Sequence, residues 1–123
     1  MPADSPSGPE GSVKVLDFTL AGQPYVAMEA GRLDPFNHAV SLLIPCDNQA
    51  EIDRLWEAHL NNGGIAQQCG WLKDRWGLYW QITPRVLFDM MRSPDRAAGR
   101  RAMEAMMKME KLDIAALQKA FEG

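Results

Sequence analysis

The sequence predicts an α+β domain, and three observations carry that prediction. Short apolar runs at 12–30, 38–46 and 65–83 are strand-length, show two-residue alternation in places, and are separated by turn residues. The segment 49–61 repeats its apolar residues at helical spacing behind a capping residue. Beyond residue 84 the chain becomes rich in Ala and Met between further caps, which reads as helices.

The elements follow in order. Residues 1–11, MPADSPSGPEG, have no apolar period and read as a flexible lead-in, so the domain is expected over 12–123. SVKVLDFTL alternates, with Leu16, Phe18 and Leu20 on one face. AGQ reads as a turn and PYVAMEAG as the returning strand of a hairpin, with Pro24 at its first position or on an edge, where the missing N–H costs least. After the loop GRLDPFN, the run HAVSLLIPC has the length and density of a central strand, opened by His38.

Asn48 can cap the next helix, and Glu51 completes a capping-box pattern. Ile52, Leu55, Trp56, His59 and Leu60 make its apolar stripe, and Asn62-Gly63-Gly64 ends it. Two or three short strands then span 65–83, with Asp74-Arg75-Trp76-Gly77 as a turn. In LYWQIT, Leu78, Trp80 and Ile82 share a core face, whereas Tyr79, Gln81 and Thr83 share a mixed one that can line a pocket. PRVLFDMMRS reads as a short helix, a second helix starts at a Ser93 cap with Pro94 at its first helical position, and DIAALQKAF restarts from Asp113.

Composition removes several function classes. The 123 residues carry a net charge of −3 and no basic run, so the chain offers no electrostatic footprint for nucleic acid. No apolar run approaches the roughly 18 residues of a membrane span. Two cysteines, Cys46 and Cys69, make no secreted disulfide framework, and the expectation is a reduced, cytoplasmic protein. Glycine-rich phosphate loops, C-x-x-C and H-E-x-x-H are all absent.

The densest stretch is CGWLKDRWGLYWQITP, residues 69–84, which holds three of the four tryptophans. Trp71, Trp76 and Trp80 read as core and rim before ligand cage, and Cys69 as a small buried hydrophobe. His59 sits on a helix stripe and reads as boundary packing; His38, opening a strand, can point into a cup. The methionines of the tail read as a helix-packing or subunit face.

With GSVKVLDFTLAGQPYVAMEAG, FNHAVSLLIPCDNQAEIDRLW and CGWLKDRWGLYWQITPRVL in view, the chain resembles the PhnB-like family over residues 8–123. That family carries the label 3-demethylubiquinone-9 3-methyltransferase and belongs to the glyoxalase/bleomycin resistance/extradiol dioxygenase, or vicinal oxygen chelate, superfamily. The resemblance implies paired βαβββ modules around concave pockets. Residues 38–84 match one complete module, residues 12–30 match only the final hairpin of a preceding one, and the helices follow.

The resemblance also implies a site. Its metal-ligand positions fall on His38 in the first strand, Gln81 in the last strand and Met28 or Glu29 at the end of the hairpin, of which Glu29 can bind a cation, with a fourth belonging to the unmatched opening of the first module. A neutral amide at Gln81 weakens the attraction for a divalent cation, so the expectation is either no cofactor or a weakly bound divalent metal ion. The expected pocket is lined by His38, Tyr79, Gln81, Trp71 and Cys69.

The first functional reading is a small-molecule-binding protein with no established activity. The second is a metal-dependent enzyme on a small oxygenated substrate, and the third the methyltransferase of the family label, for which no S-adenosylmethionine-binding motif speaks. An uncovered hairpin and a Met-rich helix add the expectation of a homodimer.

Overall fold

A computed structural model describes residues 11–123 except 13, 30, 32 and 33. Gly11 aside, the expected lead-in lies outside the described residues. The chain divides into two compact units, Met1–Pro35 and Phe36–Gly123.

The first unit is the expected hairpin, β1 (Val15–Leu20) against β2 (Gln23–Met28). Its loop is shorter than AGQ. Ala21 and Gly22 both have left-handed φ, 51° and 80°, the pattern of a two-residue type I′ turn, and Gln23 already pairs with Leu20. That loop makes Leu20–Gln23 the hydrogen-bonded pair and Thr19–Pro24 the non-bonded one, so no ladder bond is lost at Pro24. Phe18 and Tyr25 stack at 5.4 Å on one face. Val15, Leu16, Leu20, Val26 and Met28 are all exposed.

The second unit holds a four-stranded sheet in the order β3-β6-β5-β4, built from β3 (Ser41–Cys46), β4 (Ile65–Ala66), β5 (Trp71–Lys73) and β6 (Tyr79–Pro84). β3 runs parallel to β6 and the other pairs are antiparallel, so with α1 (Gln49–Asn61) between β3 and β4 the order is βαβββ. The apolar run predicted to be a central strand is therefore an edge of this sheet. Its apolar density comes from packing on α1 rather than from flanking strands, and Leu42 and Leu43 stay exposed.

One sheet face carries the core. Cys46, Leu72 and Ile82 pack with Ile52 and Trp56 of α1, flanked by Ile44, Leu55, Ala66 and Trp80. Trp80 thus belongs to the helix-covered face, as its alternation predicts. Asn48 Oδ1 accepts the Glu51 N–H at 2.9 Å, and Glu51 reaches back to the Asp47 N–H at 2.9 Å. At the other end Gly63 has φ 84° and the Gly64 N–H donates to His59 O at 2.8 Å, which closes α1 in a Schellman motif.

The tail forms α2 (Arg85–Met91), α3 (Arg96–Met106) and α4 (Ile114–Glu122) around a second cluster of Leu87, Met90, Ala102, Leu112 and Leu117. The cap of α3 is Asp95, not Ser93: Asp95 Oδ1 accepts the Ala98 N–H at 3.1 Å. Ser93 instead accepts the Asp95 N–H at 3.2 Å, which leaves Pro94 in the turn ahead of the helix. The helix stops at Met106, so Met107 and Met109 lie in the following loop. Asp113 caps α4 as expected, accepting from Ala116 at 3.1 Å.

Candidate functional site

The sheet face turned away from α1 supplies the site. Register places Ser41 and Leu43 of β3, Tyr79 and Gln81 of β6, and Trp71 and Lys73 of β5 on that face together. A concavity of about 320 Å³ opens there, lined by His38, Gln67, Gln68, Cys69, Trp71 and Tyr79. Four of the five predicted pocket residues thus meet in one place. The Tyr79 ring is edge-on to His38 at 5.9 Å and to Trp71 at 6.4 Å.

His38 does not open a strand. It lies in a turn three residues before Ser41, where Asn37 Oδ1 accepts the Ala39 N–H at 2.8 Å. An Asx turn competes with strand pairing at this point. The fifth residue, Gln81, shares the face but not the lining: its Nε2 donates to Ser41 Oγ at 2.8 Å and so ties β6 to β3. Gln67 and Gln68 are lining residues that sequence reasoning missed. The available signal was their place ahead of Cys-Gly, since Gln68-Cys69-Gly70-Trp71 is a tight turn with φ 62° at Cys69 and 81° at Gly70, closed by Trp71 N–H to Gln68 O at 3.1 Å. Cys69 is accordingly half-buried on a turn, not a core hydrophobe.

Both cysteines are free. Burial, reinforced by Glu51 and Asp47, pushes the Cys46 thiol above its ordinary pKa of 9.0. Among the described residues the concavity is lined by no Asp, Glu, Lys or Arg.

The residues expected to hold a metal are distributed over both units of the chain. His38 and Cys69 are the two metal-ligand side chains of the concavity, whereas Gln81 is engaged with Ser41. Glu29 belongs to the hairpin unit, where its Oε1 accepts the Gly31 N–H at 3.0 Å. Among the described residues no group of three or more His, Cys, Asp or Glu is placed to bind a cation. The imidazole and thiol of the concavity would supply two ligands by themselves, fewer than the three or four protein ligands of a zinc site.

A βαβββ sheet with one helix-covered face and one concave, aromatic-lined face defines a glyoxalase-like α+β module. The chain belongs to the family described as 3-demethylubiquinone-9 3-methyltransferase, whose match spans residues 1–83. It is similar to the solved structure of a PhnB protein from Bacillus cereus that carries the same methyltransferase name. The two share 29% identity and a TM-score of 0.54, over 63% of this chain and 69% of that one. No curated protein matches. The family match ends at β6, short of the extent over which the sequence resembles the family, and leaves α2, α3 and α4 outside it.

Proposed function

We propose that this is a small-molecule-binding protein of the cytoplasm that works as a homodimer. One observation carries the binding reading: Tyr79, braced edge-on by His38 and Trp71, forms an aromatic wall in the concavity that the side chains of Gln67 and Gln68 also line. Its volume of about 320 Å³ falls at the lower end of the usual range for ligand sites, roughly 300–1,000 Å³. Such a site suits a compact, uncharged ring with hydrogen-bonding groups on its rim. The rings supply stacking and edge contacts, and the amides supply both donors and acceptors.

A panel of neutral heteroaromatic fragments, titrated while backbone and indole amide signals are followed, tests this. Shifts grouped on Gln67, Gln68, Trp71 and Tyr79, and lost in Tyr79→Ala, are expected. A panel that leaves those signals unmoved would remove the reading.

The family name favours a second reading, methyl transfer. It requires S-adenosylmethionine to bind, and calorimetry at millimolar cofactor decides between the two. Dimerisation is supported by the hairpin, whose apolar side chains are exposed on both faces; Met28 is 71% accessible and Val26 67%. A lone two-stranded hairpin is marginal in water and gains most from pairing with a second copy. The free cysteines accord with a reducing compartment.

A further inference from the structure

We infer that the segment of residues 109–114, which leads from the loop after α3 into the first residue of α4, is a positioning strap for the concavity. Through it the helical tail sets the shape of the ligand site. The inference rests on the binding reading above for its functional meaning and on independent contacts for its structure.

The lining residues Gln68, Cys69 and Trp71 are carried by a tight turn in which Cys69 and Gly70 are two successive left-handed residues, and a cysteine is poorly suited to that conformation. The strap holds it. The Cys69 N–H donates to Met109 O at 2.8 Å and the Gly70 N–H to Glu110 O at 2.7 Å. Leu112 packs directly on Gly70, where an added Cβ would lie 2.9 Å from both Cγ and Cδ1 of Leu112. Gly70 O in turn accepts the Ile82 N–H at 2.9 Å, so the turn is gripped between strap and sheet.

The strap is itself anchored to α1. The Gln49 side chain spans it, donating to Leu112 O at 3.0 Å and accepting from the Ile114 N–H at 2.8 Å. Asp53 receives Gln49 Nε2 at 3.0 Å and pairs with Lys111 at 2.9 Å. Gln49 is therefore a positioning residue that touches nothing in the concavity and acts on Cys69 and Gly70 through the strap. The strap residues themselves lie outside the family match, whereas the groups that anchor it, Gln49 and Asp53, and the turn that it holds lie within it.

Amide hydrogen exchange on the whole chain tests the inference, comparing Gln49→Ala with Arg101→Ala. The second variant removes a tail contact away from the strap, the bonds from Arg101 to Ala120 O and Phe121 O at 2.9 and 2.7 Å. Gln49→Ala should speed exchange at Cys69 and Gly70 at least tenfold beyond Arg101→Ala, and should weaken the fragments of the previous section at least fivefold. Equal protection of 67–71 in the two variants overturns the inference. So does faster exchange with unchanged fragment affinity. If no fragment binds the wild type, the binding reading falls and the exchange comparison alone decides whether the strap positions the turn. Should Gln49→Ala not fold, Lys111→Ala, which cuts only the outer ion pair, should give a two- to threefold acceleration at the same amides, and no acceleration would count against the strap.

Discussion

The indole Nε1 of Trp80 donates to Asp74 Oδ2 at 2.9 Å, across the turn that joins β5 to β6. The other carboxylate oxygen of Asp74 accepts the backbone N–H groups of Trp76 and Leu78, both at 2.9 Å. One carboxylate therefore organises the turn and fixes the tryptophan beneath it. Trp76, by contrast, is 66% accessible at the turn's tip, with the Arg75 guanidinium 5.0 Å from its ring. The three clustered tryptophans thus have three roles: Trp80 against α1, Trp71 in the concavity, Trp76 in solvent.

Trp80→Ala should destabilise the fold by about 3–4 kcal/mol, through lost burial and an emptied site. Trp80→Phe keeps the burial and should cost about 1 kcal/mol for the hydrogen bond, and Asp74→Ala about 2–3 kcal/mol because three donors lose their acceptor. In urea unfolding the double variant Trp80→Phe/Asp74→Ala should be less than additive by about 1 kcal/mol. Strict additivity would mean that the indole bond contributes nothing.

Gln81→Ala should cost about 1 kcal/mol. The sequence alone suggests almost no cost, because Gln81 sits on the mixed face. The bond to Ser41 Oγ joins the two parallel strands and changes that expectation. Matched unfolding curves of Gln81→Ala and Ser41→Ala test it, since both remove the same bond and should lose similar stability.

The thiols should separate by reactivity. At pH 8 a disulfide reagent should label Cys69 promptly and Cys46 only as fast as the protein opens, because Cys46 is fully buried. The raised Cys46 pKa has a definite sign in linkage. The unfolded thiol ionises first, so stability is intact below pH 9.0 and falls as the pH rises beyond it. In Cys46→Ala that alkaline loss should shrink, as read from melting temperatures at pH 8 and pH 10. Equal losses in the two proteins would remove Cys46 as the cause.

Asp53 gives the acid counterpart. A hydrogen bond from Gln49, followed by Lys111, holds its carboxyl below the ordinary 3.8. A lowered pKa adds stability that is present above pH 3.8 and lost as the pH falls through the folded value. Asp53→Asn should therefore melt below wild type at pH 7, and the gap should narrow as the pH is taken below 3.8 and through the folded value. A gap of constant size would point to packing instead of charge.

Glycine at 64 is demanded by close approach. A Cβ there would lie 2.5 Å from His59 O, inside the Schellman closure of α1. At Gly63 the requirement is conformational, φ 84°, and Gly63→Ala should cost about 1 kcal/mol. Gly64→Ala should cost clearly more than that in the same unfolding assay, and equal losses would contradict the contact.

Local rules were enough for much of this chain. Asn48 and Asp113 declare their helices because a cap is a contact between neighbours in sequence. The alternation of LYWQIT assigns Trp80 and Ile82 to one face and Tyr79 and Gln81 to the other because the pleat has a period of two. Asp74 and Gly77 mark their turn for the same local reason. What those rules could not reach is whatever depends on a partner distant in sequence. The apolar run 41–46 reads the same at the edge of a sheet as at its centre, and only pairing with β6 made it an edge. Ser93-Pro94 and Asp95 are competing caps, and the bond to Ala98 settled the choice. His38 and the pair Gln67-Gln68 lie about 30 residues apart, and they share a concavity because β6 sits between β3 and β5. The hold of Met109 and Glu110 on the Cys69-Gly70 turn has no periodicity at all: it arises from backbone groups, which every residue carries, and so leaves no mark in the sequence.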